Sequence, residues 1–223
     1  MKHFLSLLLI LTLFLCSCSK RTNLITIPDL GKRYDSAEFL VEPQEKKVGE
    51  AEAIQIARRF FKDQYGAENA ALFTGVDCSY IEPSASGEKL GDFGHYLIRF
   101  YYPLGEDGFI KGPSLAIKMT GSGGIKESSS SGGLKDFDLN LLNQFTKEKL
   151  KKELMKQLTD RHGDKATDLT IEEARIVQNE EGIFLSVVTD ALINIPLSHG
   201  GHKSVAFTYH FQTDTWEEPE YCL

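Results

Sequence analysis

Few side chains in this sequence have both the type and the spacing for chemistry. His199-Gly200-Gly201-His202, with His210 downstream, sets two imidazoles three residues apart. That spacing in a flexible loop can chelate a soft divalent metal. No Cys or carboxylate stands within the loop, and Gly-Gly between two strands is ordinary turn chemistry. A solvated hairpin tip is therefore the expectation, and a metal-dependent hydrolase using His199 and His202 the remoter alternative. Serine catalysis needs a nucleophile elbow and a base. No G-x-S-x-G occurs, and Ser128–Ser131 have no base nearby in sequence. Gly121-Ser122-Gly123-Gly124 lacks the Lys-Ser/Thr that completes a phosphate loop. Glu172-Glu173 and Glu180-Glu181 straddle a strand and a turn rather than facing one cleft, so they read as surface charge. Asp214, Glu217, Glu218 and Glu220 surround Trp216 as an acidic tail, either solvated or a patch for a partner. No catalytic residue, metal or cofactor is expected.

The cysteines are Cys16, Cys18, Cys78 and Cys222. Behind the first two lies an apolar run, Phe4–Leu15, interrupted only by Ser6 and Thr12. As a helix it would cover roughly 18 Å, short of the ~30 Å of a bilayer's hydrocarbon core. After the short basic start of Lys2 and His3, its length suits a signal peptide rather than a membrane span. Leu15-Cys16-Ser17-Cys18 resembles the lipobox of bacterial lipoproteins, Cys16 departing from the usual second residue. The resemblance implies that residues 1–17 are a signal peptide that is removed, and that Cys18 carries palmitate-like acyl chains. Cutting nearby by an ordinary signal peptidase is the weaker alternative. Each buried methylene contributes about 0.8 kcal/mol, so a multiply acylated cysteine anchors without other membrane elements. Ser19 rather than Asp follows Cys18, which in two-membrane bacteria favours the outer membrane, facing the periplasm. Removing Cys16 and acylating Cys18 leaves Cys78 and Cys222. In an exported chain two remaining cysteines favour one disulfide, two unpaired thiols being the alternative. Cys78 shares a pleat side with Leu72, Val76 and Tyr80 and is expected to face inward.

Composition restricts the partners. A hydrophobic content of 41% with 26% charged residues is that of a globular chain. The net charge of −7 becomes −8 without Lys2, which argues against a nucleic-acid partner, since phosphate binding needs clustered Lys and Arg.

Any site must be positioned by an α+β fold. Residues 18–47 lack a sustained period and contain Pro28, Gly31 and Pro43, the pattern of a tether. Asn23–Leu30 could add a short edge strand, though Pro28 demotes it. Val48–Tyr65 is a helix with Ile54, Ala57, Phe61 and Tyr65 on one stripe, widened by Ala53 and Phe60; Gly49 opens it and Gly66 ends it. Strands are expected over Ala71–Ile81, His95–Tyr102 and Ser114–Thr120, with a short one around Ile125. Residues 128–135, beginning SSSSGG, read as a linker. Beyond it, Phe137–Phe145 suits a short helix and Thr146–His162 a longer one, capped by Thr146, with Leu150, Leu154 and Leu158 in a row. Leu169–Val177, Gly182–Ile195 and Lys203–Gln212 then alternate as a three-stranded meander, with Thr213–Trp216 extending it. The pattern is two helix-plus-antiparallel-sheet units, residues 48–127 and 136–223, joined by a Gly/Ser-rich linker.

The first unit resembles a PepSY domain, an exported α+β module. Glu50-Ala51-Glu52-Ala53-Ile54 with Ala57 matches its helix opening, Tyr96-Leu97-Ile98-Arg99-Phe100 its middle strand, and Thr120-Gly121 with Gly124-Ile125 its close. The insertion Gly105–Pro113 departs from it. The resemblance implies a noncatalytic module that binds peptides or restrains envelope proteases. The sequence thus reads as a lipid-anchored envelope protein that binds a peptide or protein partner through its sheets. A structural envelope component is the alternative.

Overall fold

The computed structural model describes residues 23–31, 33–36, 47–82, 94–105, 108–194 and 201–222, apart from the side chain of Cys222. The expected signal peptide, Cys18 and His199 lie outside them. The fold is α+β and more strand than helix.

The first helix, α1 (Glu50–Tyr65), begins at Gly49 and ends at Gly66, whose N–H donates to Lys62 O at 3.0 Å. It buries Ala53, Ala57, Phe61 and Tyr65, one residue per turn, while Ile54 and Phe60 flank the contact half-buried. Glu50 and Glu52 in its first turn complement the positive end of the helix dipole. A second, short helix, α2 (Ala67–Leu72), occupies the start of the expected Ala71–Ile81 strand. Arg58 holds it in place: its guanidinium donates to Ala70 O at 3.1 Å and Phe73 O at 2.7 Å and lies over the Phe100 ring at 3.9 Å.

Two short strands, β1 (Leu24–Ile27) and β2 (Tyr34–Asp35), arise within the expected tether. β1 stops before Pro28, as that ring requires, and Ile27 and Leu30 are buried. There follow β3 (Gly75–Ile81), β4 (His95–Leu104), β5 (Ile110–Thr120), β6 (Ile125–Ser130) and β7 (Leu134–Asp138). The expected 128–135 linker is therefore largely strand. Its serines pair through backbone with β5, and Ser128, fully buried, shares a 2.7 Å hydrogen bond with the Tyr65 hydroxyl. The expected helix over Phe137–Phe145 is a 3-10 turn, Leu139–Gln144, opened by the Asp138 carboxylate accepting from Asn140 N–H.

In the second half, α3 (Lys147–His162) starts at Thr146, whose hydroxyl accepts from Lys149 N–H at 3.4 Å, and buries Leu150, Leu154 and Leu158 against β8 (Ala166–Asn179). β9 (Gly182–Ile193) and β10 (Gly201–His210) complete the meander. β11 (Thr215–Trp216) and β12 (Glu220–Cys222) fold back onto β10.

All these strands except β1 and β7, which pair with each other, form one sheet in the order β11-β10-β9-β8-β5-β4-β3, with β6, β2 and β12 alongside. The two halves meet where β5 runs parallel to β8, Lys111 opposite Arg175. The Gly105–Pro113 insertion supplies that contact by extending β4 and β5 beyond the body of their hairpin. Alternate residues of the strands, among them Ile98, Phe100, Leu115, Ile117, Leu185, Val187, Val205 and Phe207, join the helices in one continuous core.

Candidate functional site

β3 lies at the end of the strand order. It pairs with β4 on one side, and among the described residues no strand pairs with its other side. A row of backbone N–H and C=O groups therefore points outward, the arrangement that accepts an added strand. The start of β3 is set by a close approach. A Cβ at Gly75 would stand 2.2 Å from Tyr101 Cε2, so the Tyr101 ring lies across this glycine.

Val76, Cys78 and Tyr80 stand opposite Phe100, Ile98 and Tyr96, on the face toward α1. Their partners in β4 are buried, but at the edge the helix layer no longer covers them fully. Val76 is 37% exposed, and Leu72 at the end of α2 is 42% exposed. Cys78 and Tyr80 are half-buried against the core. Together they form an apolar ledge under the open edge. Lys47 Nζ sits 3.4 Å above the Tyr80 ring centroid and closes the far end. Cys78 carries a free thiol, whose pKa is raised first by burial and then by the negative charge of Glu50.

On the other face, Asp77 begins a charged chain that crosses the seam. Lys111 Nζ lies 2.5 Å from Asp77 Oδ2 and 3.5 Å from Glu173 Oε1, and Arg99 reaches the same Glu173 oxygen at 3.2 Å. Each charge has an opposite neighbour, so the cluster is compensated and offers no unpaired group to a substrate.

The remaining sequence candidates are dispersed. Cys222 lies on β12, beside β10, at the opposite end of the strand order from Cys78 on β3. Cys78 is a free thiol, and the expected Cys78–Cys222 bridge is not seen among the described residues. Bridged Cα atoms stand about 4.4–6.8 Å apart, whereas strands are spaced about 4.8 Å and five separate these two. His202 Nδ1 is 2.6 Å from Asp190 Oδ2, a carboxylate brought across from β9 that the loop sequence did not reveal. His210 Nε2 bonds Glu217. Among the described residues no three His, Cys, Asp or Glu groups converge on a metal position. The acidic tail is not simply solvated: Asp214 accepts from the Tyr209 hydroxyl, and Glu218 pairs with Arg161 at 3.7 Å. Burial first, then the Asp214 carboxylate, raises the Tyr209 pKa, so this phenol keeps its proton. A concavity of about 300 Å³ beside it is lined by Gln144, Phe145, Lys149, Asp214 and Trp216. Gln144 donates to the Tyr209 oxygen at 3.3 Å, so the polar groups at its centre already satisfy one another. Of the expected site residues among those described, only Cys78 stands at the open edge; Gly75 and Tyr101, which shape it, carry no sequence signal.

Comparison with family models, curated proteins and solved structures gives no match for this chain.

Proposed function

We propose that this chain is a lipid-anchored protein of the bacterial cell envelope that binds an extended segment of a protein partner, without catalysis, by strand addition to β3. Helices packed on one shared sheet form the body, and acyl chains on Cys18 hold that body at the membrane. The reading rests on one observation: a seven-residue edge, Gly75–Ile81, flanked by the Leu72–Val76–Cys78–Tyr80 ledge. Strand addition draws affinity from main-chain hydrogen bonds and selectivity from pockets for alternate side chains. The outer backbone of β3 supplies the former and the ledge the latter.

A photoreactive residue placed at Ser79 in living cells tests this reading. It is expected to capture a discrete polypeptide, to lose it when Val76→Asp puts a charge on the ledge, and to capture far less when Cys18→Ala releases the anchor. Equal capture from Glu180, in the β8–β9 turn, or capture indifferent to Val76→Asp, would overturn the assignment.

A further inference from the structure

We infer that the strand accepted by β3 is β3 of a second copy of this chain, so that two sheets continue into one across a two-fold axis at Cys78. This rests on the reading of β3 as a strand-accepting edge and names the occupant. Cys78 is the central residue of Gly75–Ile81. An antiparallel pair centred there sets Cys78 against Cys78 of the second copy, Val76 against Tyr80, Asp77 against Ser79 and Gly75 against Ile81. Directly opposed residues of an antiparallel pair share a face. The apolar ledge of one copy therefore meets that of the other, and on the reverse side Asp77 meets Ser79.

Two exposed apolar side chains are accounted for at once. Val76, 37% exposed, packs on Tyr80 of the second copy. Ile81, 43% exposed, comes opposite Gly75, where the Tyr101 ring lies across the missing Cβ and offers an apolar surface. The neighbouring registers are worse. Centring on Asp77 opposes two like charges, which destabilises a strand pair. Centring on Ser79 sets Asp77 against Ile81 and Val76 against Glu82. A shift by a single residue pairs ledge with polar face. Only the Cys78 centre is self-complementary, as a closed two-fold contact requires.

Facing residues of an antiparallel pair have Cα atoms about 4.5–5.5 Å apart, within reach of a disulfide. The thiols therefore report the contact. The full chain, dispersed in mild detergent, is treated with copper phenanthroline in air. Oxygen takes the two electrons, both thiol protons are released, and one S–S bond forms. The expected product is a dimer joined by a Cys78–Cys78 peptide in mass spectrometry, and absent in Cys78→Ser. Before oxidation, sedimentation is expected to give twice the chain mass for wild type and Cys78→Ser, and a single chain mass for Val76→Lys with an unchanged circular dichroism spectrum. Wild type sedimenting as a monomer without a Cys78–Cys78 link overturns the second copy as occupant. If Ser79 still captures another polypeptide in cells, strand acceptance survives that result; if it captures none, both readings fall together.

Discussion

The Cys78 thiol and the Glu50 carboxylate are coupled through space, and their coupling gives a test at the scale of single residues. Burial raises the thiol's pKa most, and Glu50 raises it further by disfavouring a second negative charge nearby. Less thiolate is thus present at a given pH than for an ordinary cysteine, and only thiolate is alkylated. Glu50→Gln removes the smaller cause, so the pKa falls and the thiolate fraction at pH 8 rises. Iodoacetamide labelling of Cys78 is expected to quicken by about two- to threefold, with the acceleration fading above the thiol's pKa. Unchanged labelling would show that Glu50 does not act on the thiol. The inward side of Cys78 was legible from its pleat neighbours. Its exposure was not, because the sequence does not say which strand ends the sheet.

Among the elements, those with a strong period were readable and those held by long-range pairing were not. The 3.6-residue stripe of α1 matches what is buried except that Ala53 takes the place of Ile54, and the Leu150–Leu154–Leu158 row of α3 matches throughout. The residues Ala71 and Leu72 belong to a helix instead of a strand because a short apolar run is ambiguous between the two. The Ser128–Ser130 run reads as a joint because serine lacks an apolar face. Strand pairing needs only the backbone, and Tyr65 satisfies the buried Ser128 hydroxyl. β1 likewise exists through its partner β7, and Gly133 permits the approach. A Cβ there would stand 2.6 Å from Asp29 N and 2.7 Å from Ile27 O, both backbone atoms. Gly133→Ala is expected to lift β1 off β7 and expose Ile27. Protease cleavage within residues 23–31 should quicken several-fold while the melting of the main sheet changes little. Resistance equal to wild type would mean that the backbone accommodates the methyl group.

Across the whole molecule, the two halves are held as one sheet by a seam that no local pattern announces. The Gly105–Pro113 insertion, which departs from the PepSY pattern, carries Lys111 to the β5–β8 contact, where Glu173 of the second half accepts from Arg99 and pairs with Lys111. These charges are partly exposed, with side chains between 21% and 32% accessible, so each pair is worth well under its buried value. Among the described residues, Glu173→Gln leaves Lys111 paired with Asp77 and removes the carboxylate that Arg99 reaches. It is expected to lower stability by about 1 kcal/mol, read as an earlier urea midpoint, with a smaller loss at high salt. No loss at low salt would mean that the β5–β8 backbone and the core hold the seam alone. The repeated order of helix and strands was legible from pattern, whereas their fusion into one sheet was not, since edge-to-edge contact depends on which strands are left unpaired.

Occupancy of the β3 edge is read most directly by hydrogen exchange at the amides of Gly75–Ile81. It is to be compared between native membranes that hold the protein and the same protein extracted in detergent and diluted until it sediments as a single chain. A bound strand slows exchange along β3 in the membranes, and release by dilution makes it fast, while the interior strand β4 stays slow in both. Equally fast exchange across residues 75–81 in both states would contradict strand acceptance at this edge.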